Sequence, residues 1–141
     1  MSFHITDCVD GDADFITQSL ARYNTQQVPG TQHPGFISIE KKIVDENGEI
    51  IAGCLAEMYF WNIVYVSILW VDARYRKQGL GTMLLREIEA VARRENCTLI
   101  HLDTFDFQAR DFYLRGGYEL FGVLEDCPPG HCRYYLKKKL T

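Results

Sequence analysis

The chain has 141 residues, a net charge of -4, 47% hydrophobic residues and 24% charged ones. That length suits one compact domain over residues 1–141, and the composition excludes a disordered chain. The acidic balance argues against a bulk grip on nucleic acid, and the apolar runs are too short to cross a bilayer.

The first twenty residues hold Asp7, Asp10, Asp12 and Asp14 but no Lys or Arg. That is the opposite of a secretory leader, so a cytoplasmic protein is expected. "SFHITDC" reads as a first strand. Asp12 or Asp14 is placed to cap a helix through about Tyr23, with Phe15, Ile16, Leu20 and Tyr23 on one apolar face. "VPGTQHPG", with two prolines and two glycines, is loop. Phe36 to Asp45 is a strand, and "DENGE" is a turn with Asn47-Gly48 at its tip. Ile50 to Phe60 and Ile63 to Val71 are two more strands, joined by a tight turn at Trp61-Asn62.

The stretch "VDARYRKQGLGTMLLREIEAVARRE" follows. Leu84, Leu85, Ile88, Val91 and Ala92 fall at helical spacing, and Glu89 can pair with Arg93 one turn on. "TLIHLDTF" is a strand, and "FQARDFYLRGG" is a short helix ended by Gly116 or Gly117. "YELFGVL" and "CRYYLKKKL" complete the order β-α-β-β-β-α-β-α-β-β. Hairpins followed by a crossover helix predict an α+β fold: a twisted mixed sheet of about seven strands with helices on both faces. Five cysteines, an odd number without a Cys-x-x-Cys pair, are expected as free thiols. "CPPGHC", Cys127 to Cys132, has no second pair of ligands at a matching spacing, so it reads as a Pro-Gly turn and no metal is expected.

A helix start leaves its first backbone N–H groups unpaired and carries partial positive charge. Gly79 and Gly81 allow close approach there, Arg76 and Lys77 add charge to the same spot, with Arg74 just before them, and the Thr82 hydroxyl adds a donor. The natural guest is a phosphate or pyrophosphate. "GLGTML" is neither a Walker A loop nor a full dinucleotide fingerprint, so the glycines alone also allow a plain strand-to-helix turn.

Arg76-Lys77-Gln78-Gly79-Leu80-Gly81 resembles the Q/R-x-x-G-x-G/A pattern of the GCN5-related N-acetyltransferases (GNAT). "SILWVDARYR" is similar to that family's central strand running into its pyrophosphate loop, and "ARDFYLRGGYEL" to its later tyrosine helix. The element order matches over nearly the whole chain, and the tail resembles a bacterial branch acting on small molecules. The resemblance implies an acyl-CoA N-acyltransferase fold, acetyl-CoA as cosubstrate and a primary amine as acceptor. It assigns the pyrophosphate to Arg76, Lys77, Gln78, Gly79, Leu80, Gly81 and Thr82, and the pantetheine arm to the backbone of Leu69 and Val71. It places Tyr113 near the thioester sulfur. Where the family often has Asn before the tyrosine helix, this chain has Asp106-Phe107-Gln108, and the cofactor contact passes to Gln108. The resemblance also allows a homodimer.

Amine acetylation needs a neutral amine, a donor for the developing oxyanion and a proton for the leaving thiolate. An ammonium of pKa ~10.4 is nucleophilic in only about one molecule in a thousand at neutral pH, so a base is required. By resemblance the Val71 N–H serves the oxyanion, and Tyr113 is the candidate acid. With a two-residue turn, Glu57 stands opposite Val66 among Leu55, Tyr59, Val64 and Ile68, a costly place for an unpartnered carboxylate and a candidate base. The alternatives are a water chain ending on Asp103, which shares a face with His101 and Phe105, or His101 itself. Tyr59, Trp61, Trp70, Phe105, Asp103 and Asp106 give aromatic and acidic groups suited to a cationic amine. The expected activity is therefore direct acetyl transfer to a small amine in a ternary complex. A protein amine acceptor, or a CoA-binding module without chemistry, remains an alternative.

Overall fold

A computed structural model describes residues 2–141. The elements run α1 (Asp12–Gln27), β1 (Phe36–Val44), β2 (Ile50–Tyr59), β3 (Ile63–Val71), α2 (Leu80–Arg94), β4 (Leu99–Phe105), α3 (Arg110–Arg115), β5 (Glu119–Glu125) and β6 (Cys132–Lys139). They build a six-stranded mixed sheet in the order β1-β2-β3-β4-β6-β5. Among the described residues no helix is long and apolar enough to cross a membrane.

The alternation read in the sequence sets the two faces. Ala52, Cys54, Ala56 and Met58 of β2 and Val64 and Val66 of β3 are at most 5% exposed, and they form one face. Leu84, Leu85, Ile88 and Ala92 of α2 close over it. Each such large apolar side chain, withdrawn from water, contributes about 1.5–3 kcal/mol. Small residues on β2 let the helix approach closely. Tyr113 of α3, with Tyr118 just past that helix, joins the same core. Glu89, on the polar side of the helical pattern, is also buried. Tyr118 Oη donates to it at 2.8 Å, Lys138 Nζ at 2.9 Å, and Arg93 stands 3.8 Å away. A buried carboxylate is tolerable only when partnered in this way.

Three expectations are corrected. "SFHITDC" is not a strand; residues 2–9 pair with no neighbour, so the sheet has six strands rather than about seven. The helix cap is Gly11, at φ 85°, and not Asp12 or Asp14; Asp12 instead accepts the Val9 N–H at 2.8 Å. The apolar stripe of α1 lies against no face of the sheet: Phe15, Ile16, Leu20 and Tyr23 are 57–69% exposed. Helices therefore cover one face within the chain, while the opposite face carries half-exposed polar and aromatic side chains.

Candidate active site

The strands that frame the site part for a visible reason. β3 and β4 are parallel neighbours over Ile63–Val66 and Leu99–Leu102 and no further, although β3 continues to Val71 and β4 to Phe105. Ser67 is the extra residue of a bulge, since Leu55 faces Ile68 while Ala56 faces Val66. A bulge bends and twists its strand, and here it coincides with the start of a cleft. Beyond it the Asp72 N–H bonds back to the Ile51 carbonyl at 2.8 Å. Antiparallel alternation then turns the backbone groups of Val71 and Leu69 to the other edge, the one β4 has left. The Val71 carbonyl receives Arg76 Nε there at 3.2 Å.

The mouth of α2 opens at the same end. Lys77 has φ 63° and Gly79 φ 81°, left-handed conformations that swing the chain from β3 into the helix. A Cβ at Gly79 would meet nothing within 4 Å, so its requirement is the backbone angle and open space lies above it. The first helical bond is Met83 N–H to the Gly79 carbonyl, and no side chain caps the helix. The amides of Leu80, Gly81 and Thr82 therefore precede any intrahelical partner. Gly81 serves packing as well, because a Cβ there would stand 3.3 Å from Phe112 Cζ. Of the three cations, Arg76 and Lys77 are exposed near the mouth. Arg74 is instead held by Asp72, its Nη2 donating at 3.0 Å, and does not join the phosphate set.

Tyr113 is 5% exposed, and burial raises its phenol well above the ordinary value, so it stays protonated at neutral pH. Among the described residues its hydroxyl has no protein hydrogen-bond partner, and no buried side-chain polar atom is left unsatisfied, so that oxygen keeps access to solvent or a ligand. The neighbouring Cys54 thiol is fully buried and pushed up to about 11 by that burial, which leaves no thiolate for a covalent relay. Gln108 turns its Oε1 inward, accepting the Phe105 N–H at 2.7 Å, which leaves its Nε2 as the free donor.

The other face of the sheet holds the remaining candidates. The β2–β3 connection has three residues, Phe60 to Asn62, because Tyr59 pairs with Ile63. Glu57 therefore faces Tyr65 rather than Val66, and Val64 lies on the opposite face, among the buried core residues. Glu57 is exposed and, among the described residues, has no ion pair, so the apolar surroundings expected for it are absent. Tyr65 Oη donates to Asp103 Oδ2 at 2.8 Å, and Arg133 holds Oδ1 through Nε at 3.0 Å and through Nη2. Tyr59 Oη lies 2.8 Å from His101 Nε2. Desolvation lowers the His101 pKa, against the opposing pull of Asp103, so this imidazole is neutral at pH 7.

Glu57, Tyr59, His101, Asp103 and Phe105 thus share one face. Trp61 meets this set only at its edge, its ring T-shaped against Tyr59 at 6.3 Å. It sits at the hairpin turn, at the paired end of β3, and its Nε1 donates to the Val28 carbonyl at 2.9 Å. Asp106 binds the Cys132 N–H at 2.8 Å and His131 Nδ1 at 2.9 Å, pinning the Pro-Gly turn to the end of β4. Sequence reasoning missed Tyr65 and Arg133. The two-residue turn read in the sequence puts Tyr65 on the face away from Glu57, and nothing local announced that β6 lies next to β4.

The model of the acetyltransferase (GNAT) family matches residues 12–118. A blasticidin-S acetyltransferase of Streptomyces morookaense is 42% identical over 96 residues, 67% of this chain and 70% of that protein. An acetyltransferase of Agrobacterium fabrum is 27% identical over 140 residues, 99% of each chain. The crystal structure of an acetyltransferase from Bacillus cereus is similar at a TM-score of 0.87 and 34% identity, covering 97% of both chains. A phosphate-ready helix mouth beside a parted strand pair, a buried tyrosine and these likenesses agree: the chain belongs to the GNAT family and is an acetyl-transferring enzyme.

Proposed function

We propose that the protein transfers the acetyl group of acetyl-CoA to the primary amine of a small molecule, by direct attack in a ternary complex. The observation that carries the reading is the set of unpartnered amides at Leu80, Gly81 and Thr82, opening where β3 and β4 part. These residues suit the donor. Gln78 to Thr82 would hold its diphosphate with Arg76 and Lys77, and the free edge of β3 at Leu69 and Val71 would pair with its pantetheine arm. Acetyl-CoA supplies an acetyl thioester when bound.

The chain's own groups then have separable tasks. The Val71 N–H, on the free edge, donates to the developing oxyanion. Tyr113, protonated at neutral pH, donates from its free hydroxyl toward the leaving sulfur. Glu57 is the base in this reading: its carboxylate is unpaired, whereas Asp103 is tied to Arg133 and Tyr65. Asp103 and Phe105 line the acceptor side with Tyr59, and an exposed carboxylate near aromatic rings favours a cationic organic amine. The bacterial relative named for blasticidin S supports a small acceptor.

Release of free thiol from acetyl-CoA, followed with a panel of primary amines, tests the proposal. Amine-dependent turnover that falls at least tenfold in Glu57→Gln is expected. Thiol release no faster than the protein-free rate with every amine would sink it.

A further inference from the structure

The charges buried between α2 and β6 play no part in the chemistry proposed above. Glu89 of α2 and Lys138 of β6 stand 2.9 Å apart, with side chains only 6% and 23% exposed. A well-packed apolar pair of similar volume often serves a fold as well as a buried ion pair, or better. Stability is therefore a weak reason for charges here, and their remaining contacts suggest another.

Those contacts gather at the exit of α3. Lys138 Nζ donates to Glu89 Oε1 and to the Gly116 carbonyl, both at 2.9 Å. Gly116 is the residue that ends α3. Tyr118 Oη donates to the second carboxylate oxygen of Glu89, Oε2, at 2.8 Å. The Tyr118 N–H in turn donates to the Tyr113 carbonyl at 3.0 Å, and the two rings meet at 5.7 Å and 68°. Lys138 stands opposite Ile100 where β6 pairs with β4, so the chain of bonds is anchored in the interior of the sheet.

Helix α3 has six residues, too few to hold their own shape in water. Its place is imposed from outside, and α2 does so at two points. At the helix mouth Phe112 packs so closely that a Cβ on Gly81 would stand 3.3 Å from its Cζ. About two turns further along α2, Glu89 holds the other end of α3 through Tyr118 and Lys138.

We infer that Glu89, Lys138 and Tyr118 are positioning residues for Tyr113: they fix the exit of α3 against α2, and so set where the phenol lies relative to a donor held at the α2 mouth. The two oxygens of Glu89 are taken by different segments, one by β6 and one by the residue that leads α3 into β5, so a single side chain of α2 registers both. The catalytic consequence rests on the acid role proposed above for Tyr113. Misplacing a reacting group by about 1 Å can cost up to ~100-fold in rate.

Lys138→Met removes both bonds of the ammonium, while Glu89 keeps Tyr118 and, at 3.8 Å, Arg93. Thiol release is measured for this variant alone and combined with Tyr113→Phe. In the wild-type background kcat should fall roughly tenfold with the KM for acetyl-CoA unchanged. Added to Tyr113→Phe, the same change should cost nothing further, because residues that act through one group are not additive. Where Tyr113→Phe does lower kcat, an equal loss in both backgrounds, or no loss in either, overturns the inference. If Lys138→Met fails to fold, Tyr118→Phe keeps the ring and the Lys138–Glu89 pair, and should lower kcat about threefold in the wild-type background alone. The ¹⁹F resonance of Tyr113 in fluorotyrosine-labelled protein, assigned by its absence from Tyr113→Phe, reads the placement without any turnover. It should shift or broaden in Lys138→Met, and a resonance that stays put overturns the inference. If Tyr113→Phe keeps full kcat while that resonance moves, the acid role fails and the positioning stands.

Discussion

At the residue scale, some groups hold the fold and others are free to react. The Tyr113 hydroxyl has no protein hydrogen-bond partner among the described residues, so Tyr113→Phe removes an oxygen the fold does not use. The variant is expected to keep its thermal stability while kcat falls by roughly 100-fold, with the KM for acetyl-CoA little changed. A loss of Tm in step with activity would instead make the tyrosine structural. His101 gives a pH prediction of definite sign. Its folded pKa is lowered below 6.5 by desolvation, so the unfolded chain takes up its proton first on acidification. The contribution of neutral His101 is complete above pH 6.5 and is lost as pH falls through the folded value. Wild-type Tm should drop more steeply than that of His101→Gln between pH 6.5 and 5. Parallel curves would remove the histidine from the balance.

At the scale of elements, the helix mouth was legible because two constraints meet in a few letters. Gly79 is required for φ 81°, and the helix behind it announces itself by Leu84, Leu85, Ile88 and Ala92. Gly79→Ala forces a Cβ into the left-handed region at about 1–2 kcal/mol, relieved by distorting the turn. The KM for acetyl-CoA should rise about tenfold while the KM for the amine is unchanged; equal effects on both would deny the turn its specific task. The strands from Phe36 to Val71 were legible within a residue or two, because alternation and the Asn47-Gly48 turn are local signals. Two details were not. The register of β2 on β3 depends on a three-residue turn with positive φ at Phe60 and Asn62, where nothing in those side chains demands it. One residue of difference moved Val64 off the face of Glu57. "SFHITDC" has strand-like letters but no neighbour to pair with, and a strand exists only through its partner.

At the scale of the whole molecule, what escaped the sequence was non-local. β6 inserts between β4 and β5, which brings Arg133 to Asp103 across thirty positions of sequence and ties up the carboxylate that was an alternative base. The apolar stripe of α1 is plain in its letters, but its lack of a partner in the same chain shows only in three dimensions. The cleft itself follows from a bulge at Ser67 that ends the pairing of β3 with β4 just before the α2 mouth. In the function proposed above, turn, helix and strand edge serve one elongated site for a diphosphate and its thioester arm. Titrating ¹⁵N-labelled protein with coenzyme A tests that site most directly. The amide resonances of Gln78 to Thr82 should shift together, with those of Leu69 and Val71, and saturate at one equivalent. If those amides stay unmoved at millimolar coenzyme A, the diphosphate does not bind this turn and the account is contradicted.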